Sequence, residues 1–153
     1  MKKSQRLGPL IKVAQRREMA LAHRIKESLS RCTSQERQVA ELNSFRAQYQ
    51  SARLPGHGQL TARQLKDLWQ FTAKLDEAIT QGGERAARSR EQLQRDQQSF
   101  LRARMRTQML EKLVARYRRQ EQHTQARRES QEHDENAQRL SAYGGWASIR
   151  PRS

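Results

Sequence analysis

ARQLKDLWQFTAKLDEAITQGGERAARSREQLQRDQQSFLRARMRTQMLEKLVARY, residues 62–117, is the stretch that decides the fold. Taken in sevens, one column reads Leu65, Thr72, Ile79, Ala86, Leu93, Phe100, Thr107 and Val114, six of the eight apolar. Three residues on, a second column reads Leu68, Leu75, Gly82, Ser89, Asp96, Ala103, Leu110 and Tyr117, five of the eight apolar. A seven-residue repeat sustained this long is what a coiled-coil seam requires, because two such columns share one helix face.

Outward from this stretch, Thr61 stands three residues before Gln64. That is the spacing of a capping box, so a long helix is predicted over 62–141. Its only internal breakers are Gly82-Gly83, which read as a hinge, a local unwinding or a tolerated weak spot. Upstream, Pro55-Gly56-His57-Gly58 marks a turn and sets a loop over 54–61. Before it, residues 9–53 run without a breaker after Pro9 and predict a first helix. Ile25, Cys32 and Val39 form one of its columns, and Leu21, Ser28, Gln35, Leu42 and Tyr49 the other. Gly8-Pro9 and Gly144-Gly145 then bound a flexible basic N-terminus at 1–8 and a flexible tail at 142–153.

The expected fold class is all-α: two long helices forming an antiparallel coiled-coil hairpin. At 1.5 Å per residue the first helix is ~68 Å long and the second ~120 Å, so roughly 25–35 residues of the second overhang the first. Trp69 is expected to pack against the loop-proximal part of the first helix.

Composition alone is ambiguous. In 153 residues, 31 Lys and Arg face 16 Asp and Glu, and Leu, Ile, Val and Phe total only 25, as in disordered chains. Ala, Glu, Lys, Leu and Arg, however, make 75 of the 153, the signature of long helices, and the heptads decide for that reading. A compact α/β or all-β enzyme is excluded by the scarcity of β-branched residues and glycine turns. There is no phosphate-binding glycine loop and no nucleophile elbow, so no enzyme, catalytic residue or cofactor is expected. Cys32 is the single cysteine, a small seam residue suited to a reducing cytoplasm. His133 with Glu129 is only a two-ligand pair on a solvated face, so no metal site is expected. No apolar run approaches a membrane span, and the basic start leads into no signal-peptide core.

The charge is concentrated. Residues 1–17 carry six positives and no negative, and residues 84–128 thirteen positives and five negatives, against a chain total of +15. In the expected hairpin, residues 1–17 lie beside 98–110, so both basic segments fall at the open end. Such a pole suits nucleic acid, a membrane surface or an acidic protein, or is a solvated face that keeps the coiled coil soluble. A basic-zipper factor needs its basic helix contiguous with a parallel zipper, which this arrangement lacks. A membrane surface wants a broad apolar face, and 98–128 offers only scattered Met, Leu and Tyr.

The residues also resemble a known family. The opening Leu10 register with Cys32, the block VAELNSFRAQY at 39–49, Leu68-Trp69-Gln70-Phe71, and LDEAITQ at 75–81 are similar to flagellar export stalk proteins of the FliJ family, over roughly residues 7–140. The resemblance implies a hairpin similar to the γ stalk of rotary ATP synthases, in a non-enzymatic component of the bacterial flagellar type III export apparatus. As partners it implies the hexameric export ATPase, the cytoplasmic domain of the transmembrane export gate, and the export chaperones whose recycling it assists. It also implies a cytoplasmic protein held peripherally at the inner membrane at the flagellar base. The equivalent stalk of a virulence injectisome and a basic nucleic-acid-binding coiled coil remain the alternatives.

Carried over position by position, the family's gate-contacting surface corresponds to Gln38, Leu42, Phe45 and Tyr49 in helix 1, and to Phe71, Leu75 and Ala78 in helix 2. The fourth helix 2 position is Gly82, where the family commonly has a side chain. Both sets step by four, three and four residues, one stripe on each helix. Antiparallel packing then brings Tyr49 level with Phe71, Phe45 with Leu75, and Leu42 with Ala78. Leu42, Tyr49 and Leu75 also belong to the seam columns and so read equally as core, while Phe45 and Phe71 fall beside the seam as candidate anchors. By the stalk analogy, the ATPase is met by the basic residues Arg102, Arg104, Arg106, Arg116, Arg118 and Arg119.

Overall fold

A computed structural model of the chain describes residues 1–52 and 61–147. Nearly all of them lie in two helices, α1 (Lys3–Ala52) and α2 (Ala62–Ala147), which pack antiparallel against each other. The start of α2 is the capping box read from the sequence. The Thr61 N–H donates to Gln64 Oε1 at 3.1 Å, and the Gln64 N–H to Thr61 Oγ1 at 3.3 Å, which satisfies two otherwise orphaned groups.

The helices divide into two packed units, Arg16–Arg104 and Met1–Gln15 with Met105 onward. In the Arg16–Arg104 unit the covered residues of α1 include Leu21, Ile25, Ser28, Cys32, Gln35, Val39, Leu42 and Arg46. Those of α2 include Leu68, Thr72, Leu75, Ile79, Gly82, Ala86, Ser89, Leu93, Asp96, Phe100 and Ala103. Both follow the heptad columns. The direction is plain from the cross-links: Ser28 meets Asp96, Gln35 meets Ser89, Arg46 meets Asp76 and Tyr49 meets Phe71. In the other unit Ser4, Leu7, Ile11 and Ala14 of α1 are covered, as are Thr107, Leu110, Val114, Tyr117 and Glu121 of α2. Beyond Glu121 every α2 residue through Gly144 is exposed.

The core is thin and partly polar. Cys32, Leu75, Ala86 and Val114 are its buried apolar residues, and Ser4, Ser28, Asp96 and Thr107 are buried beside them. The polar members of the two serine layers are paired. Ser28 Oγ donates to Asp96, whose other oxygen accepts from Gln92 Nε2 at 3.0 Å, and Ser89 Oγ donates to Gln35 Oε1 at 2.5 Å. Arg90 donates twice to Glu36, at 2.8 and 2.7 Å. Arg46 and Asp76 approach to 3.1 Å without an aligned hydrogen bond, so charge alone holds that pair. Such layers add little burial but disfavour other registers.

Four expectations need correction. The N-terminus at 1–8 is helical from Lys3, and Gly8-Pro9 lies inside α1 rather than before it. Docking supplies the reason. The Ser4 N–H and Oγ both donate to the Glu121 carboxylate, at 3.1 and 2.6 Å, capping the first turn of α1 from α2. The register also differs. Ser4 beside Glu121 and Gln15 beside Glu111 put the first residues against 111–121, not 98–110. At the far end α2 continues past 141 to Ala147, with Gly144 and Gly145 in its last turn, where glycine is tolerated. Trp69 is largely exposed, because it lies one residue off seam position Leu68 and no third layer covers it. The expected loop and the last residues of the expected tail, 53–60 and 148–153, lie outside the described residues.

Candidate partner-binding surfaces

The aromatic band lies in the Arg16–Arg104 unit. Phe45, Tyr49 and Phe71 are 53%, 38% and 43% exposed, while Leu75 is buried and Leu42 and Ala78 are half-covered. The Tyr49 and Phe71 rings sit 4.7 Å apart at a 45° tilt, a favourable tilted arrangement. The level pairing read from the two stripes therefore holds at this rung. Leu42 and Leu75 serve the seam, while Phe45 and Phe71 flank it and leave ring surface to solvent. Gln38, further along, is exposed.

Gly82 closes the band differently from the other positions. A Cβ there would stand 3.1 Å from Val39 Cγ2 and 4.0 Å from Leu42 Cδ1, so its bareness admits Val39 to the seam. Gly83 faces open space, and α2 runs through both glycines without interruption.

The basic residues are spread over both units. Arg102 and Arg104 fall in the Arg16–Arg104 unit, and Arg106, Arg116, Arg118 and Arg119 in the other. All six are exposed, and none forms an ion pair with a carboxylate among the described residues. Around the helix they point several ways, since Thr107, Leu110, Val114 and Tyr117 take the covered face between them. At the end of that unit Lys3 Nζ lies 5.6 Å from the Tyr117 ring centroid. The adjoining cleft, about 470 Å³ and lined by Met1, Lys2, Tyr117, Gln120 and Arg128 among others, is open to solvent. The hydrogen bonds from Ser4, first its side chain and then its backbone N–H, hold Glu121 below the usual carboxylate range.

Among the described residues no three His, Cys, Asp or Glu side chains are grouped to hold a metal ion. Glu129, half of the pair with His133, accepts instead from Gln125 Nε2 at 3.0 Å. Cys32 is buried in the seam with its thiol 3.8 Å from Glu36 Oε1. No described helix is long and apolar enough to cross a membrane.

Sequence reading missed one grouping. Met105, Met109 and Leu113 form one apolar stripe on α2 that starts opposite the covered face at Met105 and reaches its edge at Leu113. Their i, i+4, i+8 spacing was the available signal.

The protein-family model described as "Flagellar FliJ protein" matches residues 2–144. No curated protein and no solved structure gives a significant match.

Proposed function

We propose, for a chain that belongs to the flagellar FliJ family and so is a component of the flagellar export apparatus, that it acts as a non-enzymatic coiled-coil stalk coupling the export ATPase hexamer to the cytoplasmic domain of the export gate. In this reading Phe45, Tyr49 and Phe71, with Gln38, Leu42, Leu75 and Ala78, form the gate-binding band. The arginines at 102, 104, 106, 116, 118 and 119 meet the ATPase. Export chaperones are further partners, and the protein is cytoplasmic, held at the inner membrane through the gate.

The observation that carries the reading is the band itself. At the carried-over positions the Tyr49 and Phe71 rings meet across the two helices, and Phe45, Tyr49 and Phe71 each keep a large share of their surface in solvent. Half-exposed aromatics on a rigid helical support are suited to anchor a partner, because little side-chain freedom is lost on binding.

The test is titration of the purified gate domain and the purified ATPase against Phe45→Ala and Phe71→Ala chains. Each truncation should weaken gate binding by about 2 kcal/mol, as removal of a packed aromatic anchor does. Binding to the ATPase should be unchanged. Variants of normal helicity that bind the gate like the parent, or that lose the ATPase as completely as the gate, refute the assignment.

A further inference from the structure

We propose that one face of α2, between Met105 and Arg116, docks an acidic amphipathic helix of a partner protein. The partner's apolar side chains would lie along Met105, Met109 and Leu113, and its carboxylates on Arg106, Lys112 and Arg116. This rests on the reading of the basic segment as a protein-binding site and narrows that site to one face.

The three apolar side chains are 62%, 69% and 37% exposed, although α1 already covers Thr107, Leu110, Val114 and Tyr117 of the same helix segment. This part of α2 thus carries two stripes, one used by the hairpin and one whose methionines are largely bare. Methionine is flexible and polarisable, so it adapts to an apolar surface it does not match in shape. The stripe spans ~12 Å, the footprint of about two turns of a partner helix.

The rim selects the charge of the occupant. Arg106, Lys112 and Arg116 border the stripe, all exposed and none in an ion pair among the described residues. Glu111 is the one acid between 105 and 120, and its carboxylate accepts from Gln15 Nε2 at 3.4 Å on α1. Guanidinium forks match carboxylates in a two-point geometry, which favours an acidic rim on the partner. A second copy of the chain is disfavoured by its own charge of +15. A bilayer needs a broader apolar face than three side chains provide, and nucleic acid would engage the arginines while gaining nothing from the methionines.

The test uses the full chain and two synthetic helical peptides of identical composition. One places its leucines on a single face between glutamates, and the other scatters them. The amphipathic peptide should bind at least about tenfold more tightly than its isomer. The M105Q/M109Q variant, which keeps every charge, should lose most of that advantage at unchanged helicity, and R106E/R116E should weaken binding and flatten its salt dependence. Equal binding of the two peptides, or parent-like binding by M105Q/M109Q, overturns the proposal. So does tighter binding to phosphatidylcholine–phosphatidylglycerol vesicles or to duplex DNA than to the peptide. Purified export ATPase separates this failure from that of the wider reading. If R102E/R104E/R106E weakens the ATPase while M105Q/M109Q alters neither ATPase nor peptide binding, the basic segment stands and this face falls. If the charge reversal also leaves ATPase binding untouched, both fall.

Discussion

Alanine at Gly83 should stabilise the hairpin, and alanine at its neighbour Gly82 should not. Within a helix each glycine costs about 1 kcal/mol relative to alanine, largely through the backbone freedom it keeps in the unfolded chain. At Gly83 an added Cβ meets nothing within 4 Å, so the whole gain is available. For a chain of this size that corresponds to a rise in melting temperature of about 2–4 °C. At Gly82 the same Cβ comes within 3.1 Å of Val39 Cγ2. Valine in a helix has essentially one comfortable rotamer, so Val39 cannot turn aside and the helices must part by a few tenths of an ångström. Overpacking of that kind costs about 1 kcal/mol or more, which cancels the propensity gain. Thermal and urea melts followed by circular dichroism give both values. A G82A gain equal to that of G83A would refute the packing argument, and a destabilised G83A would show that its environment is not open. The same variant decides the hinge reading: if flexion at the pair serves export, G83A is more stable but exports less, and normal export by G83A removes the hinge.

Three further outcomes follow from polar groups of the seam and from the lone cysteine. Because the two Ser4 hydrogen bonds depress the Glu121 carboxylate, its contribution is fully present above its ordinary range and is lost as pH falls through the lower folded value. Hydrogen exchange at the first turn of α1 should therefore open in acid in the parent and be open already in Glu121→Gln at neutral pH, and an identical acid response in both chains would contradict this. Ser28→Ala should cost about 1–3 kcal/mol by stranding the buried Asp96 carboxylate with Gln92 alone, whereas Ser28→Ala with Asp96→Leu should recover the loss. A double variant less stable than the single one, measured by urea melts, would count against that account. Neither reductant nor chelator should shift the melting temperature, and a fall of several degrees with EDTA would reveal a bound metal.

The seam was legible in the sequence because its period is enforced by geometry. Residues from Leu68 to Glu121 that face α1 recur at the seven-residue spacing, with only Leu65, at the start of α2, left exposed. Register was not legible, since it rests on polar matches such as Ser4 with Glu121 and Ser28 with Asp96, and no single-chain pattern says which serine meets which acid. Gly8-Pro9 reads locally as a breaker, and a tertiary cap overrides it. Trp69 misleads in the opposite sense. Its size argues for burial, but a two-helix hairpin covers little beyond its seam. In the candidate band, the positions that the family resemblance carries over step alike on the two helices, which sets Tyr49 level with Phe71. The methionine stripe is legible only in its i, i+4, i+8 spacing, because three apolar residues among so many charges leave no mark on composition.

The distribution of side chains between seam and surface is inverted relative to what stability alone would select. Seam positions hold Ser4, Ser28, Gln35, Gly82, Ser89, Asp96 and Thr107, while Leu10, Val13, Phe45, Phe71, Met105 and Met109 stand in solvent. At about 0.8 kcal/mol per buried methylene, exchanging even two of these would shift stability by more than the polar pairs contribute. The polar layers keep the helices aligned, and the apolar surface left outside is recovered only when something covers it. That makes the hairpin's stability a linked function of its partners. Any protein that covers the aromatic or the methionine face must raise the melting temperature by mass action, by an amount that grows with the logarithm of its concentration over its Kd. Conversely, variants at Phe45, Met105 or Met109 that abolish binding should leave the unliganded melting temperature nearly where it was, because those side chains contribute little to the free fold.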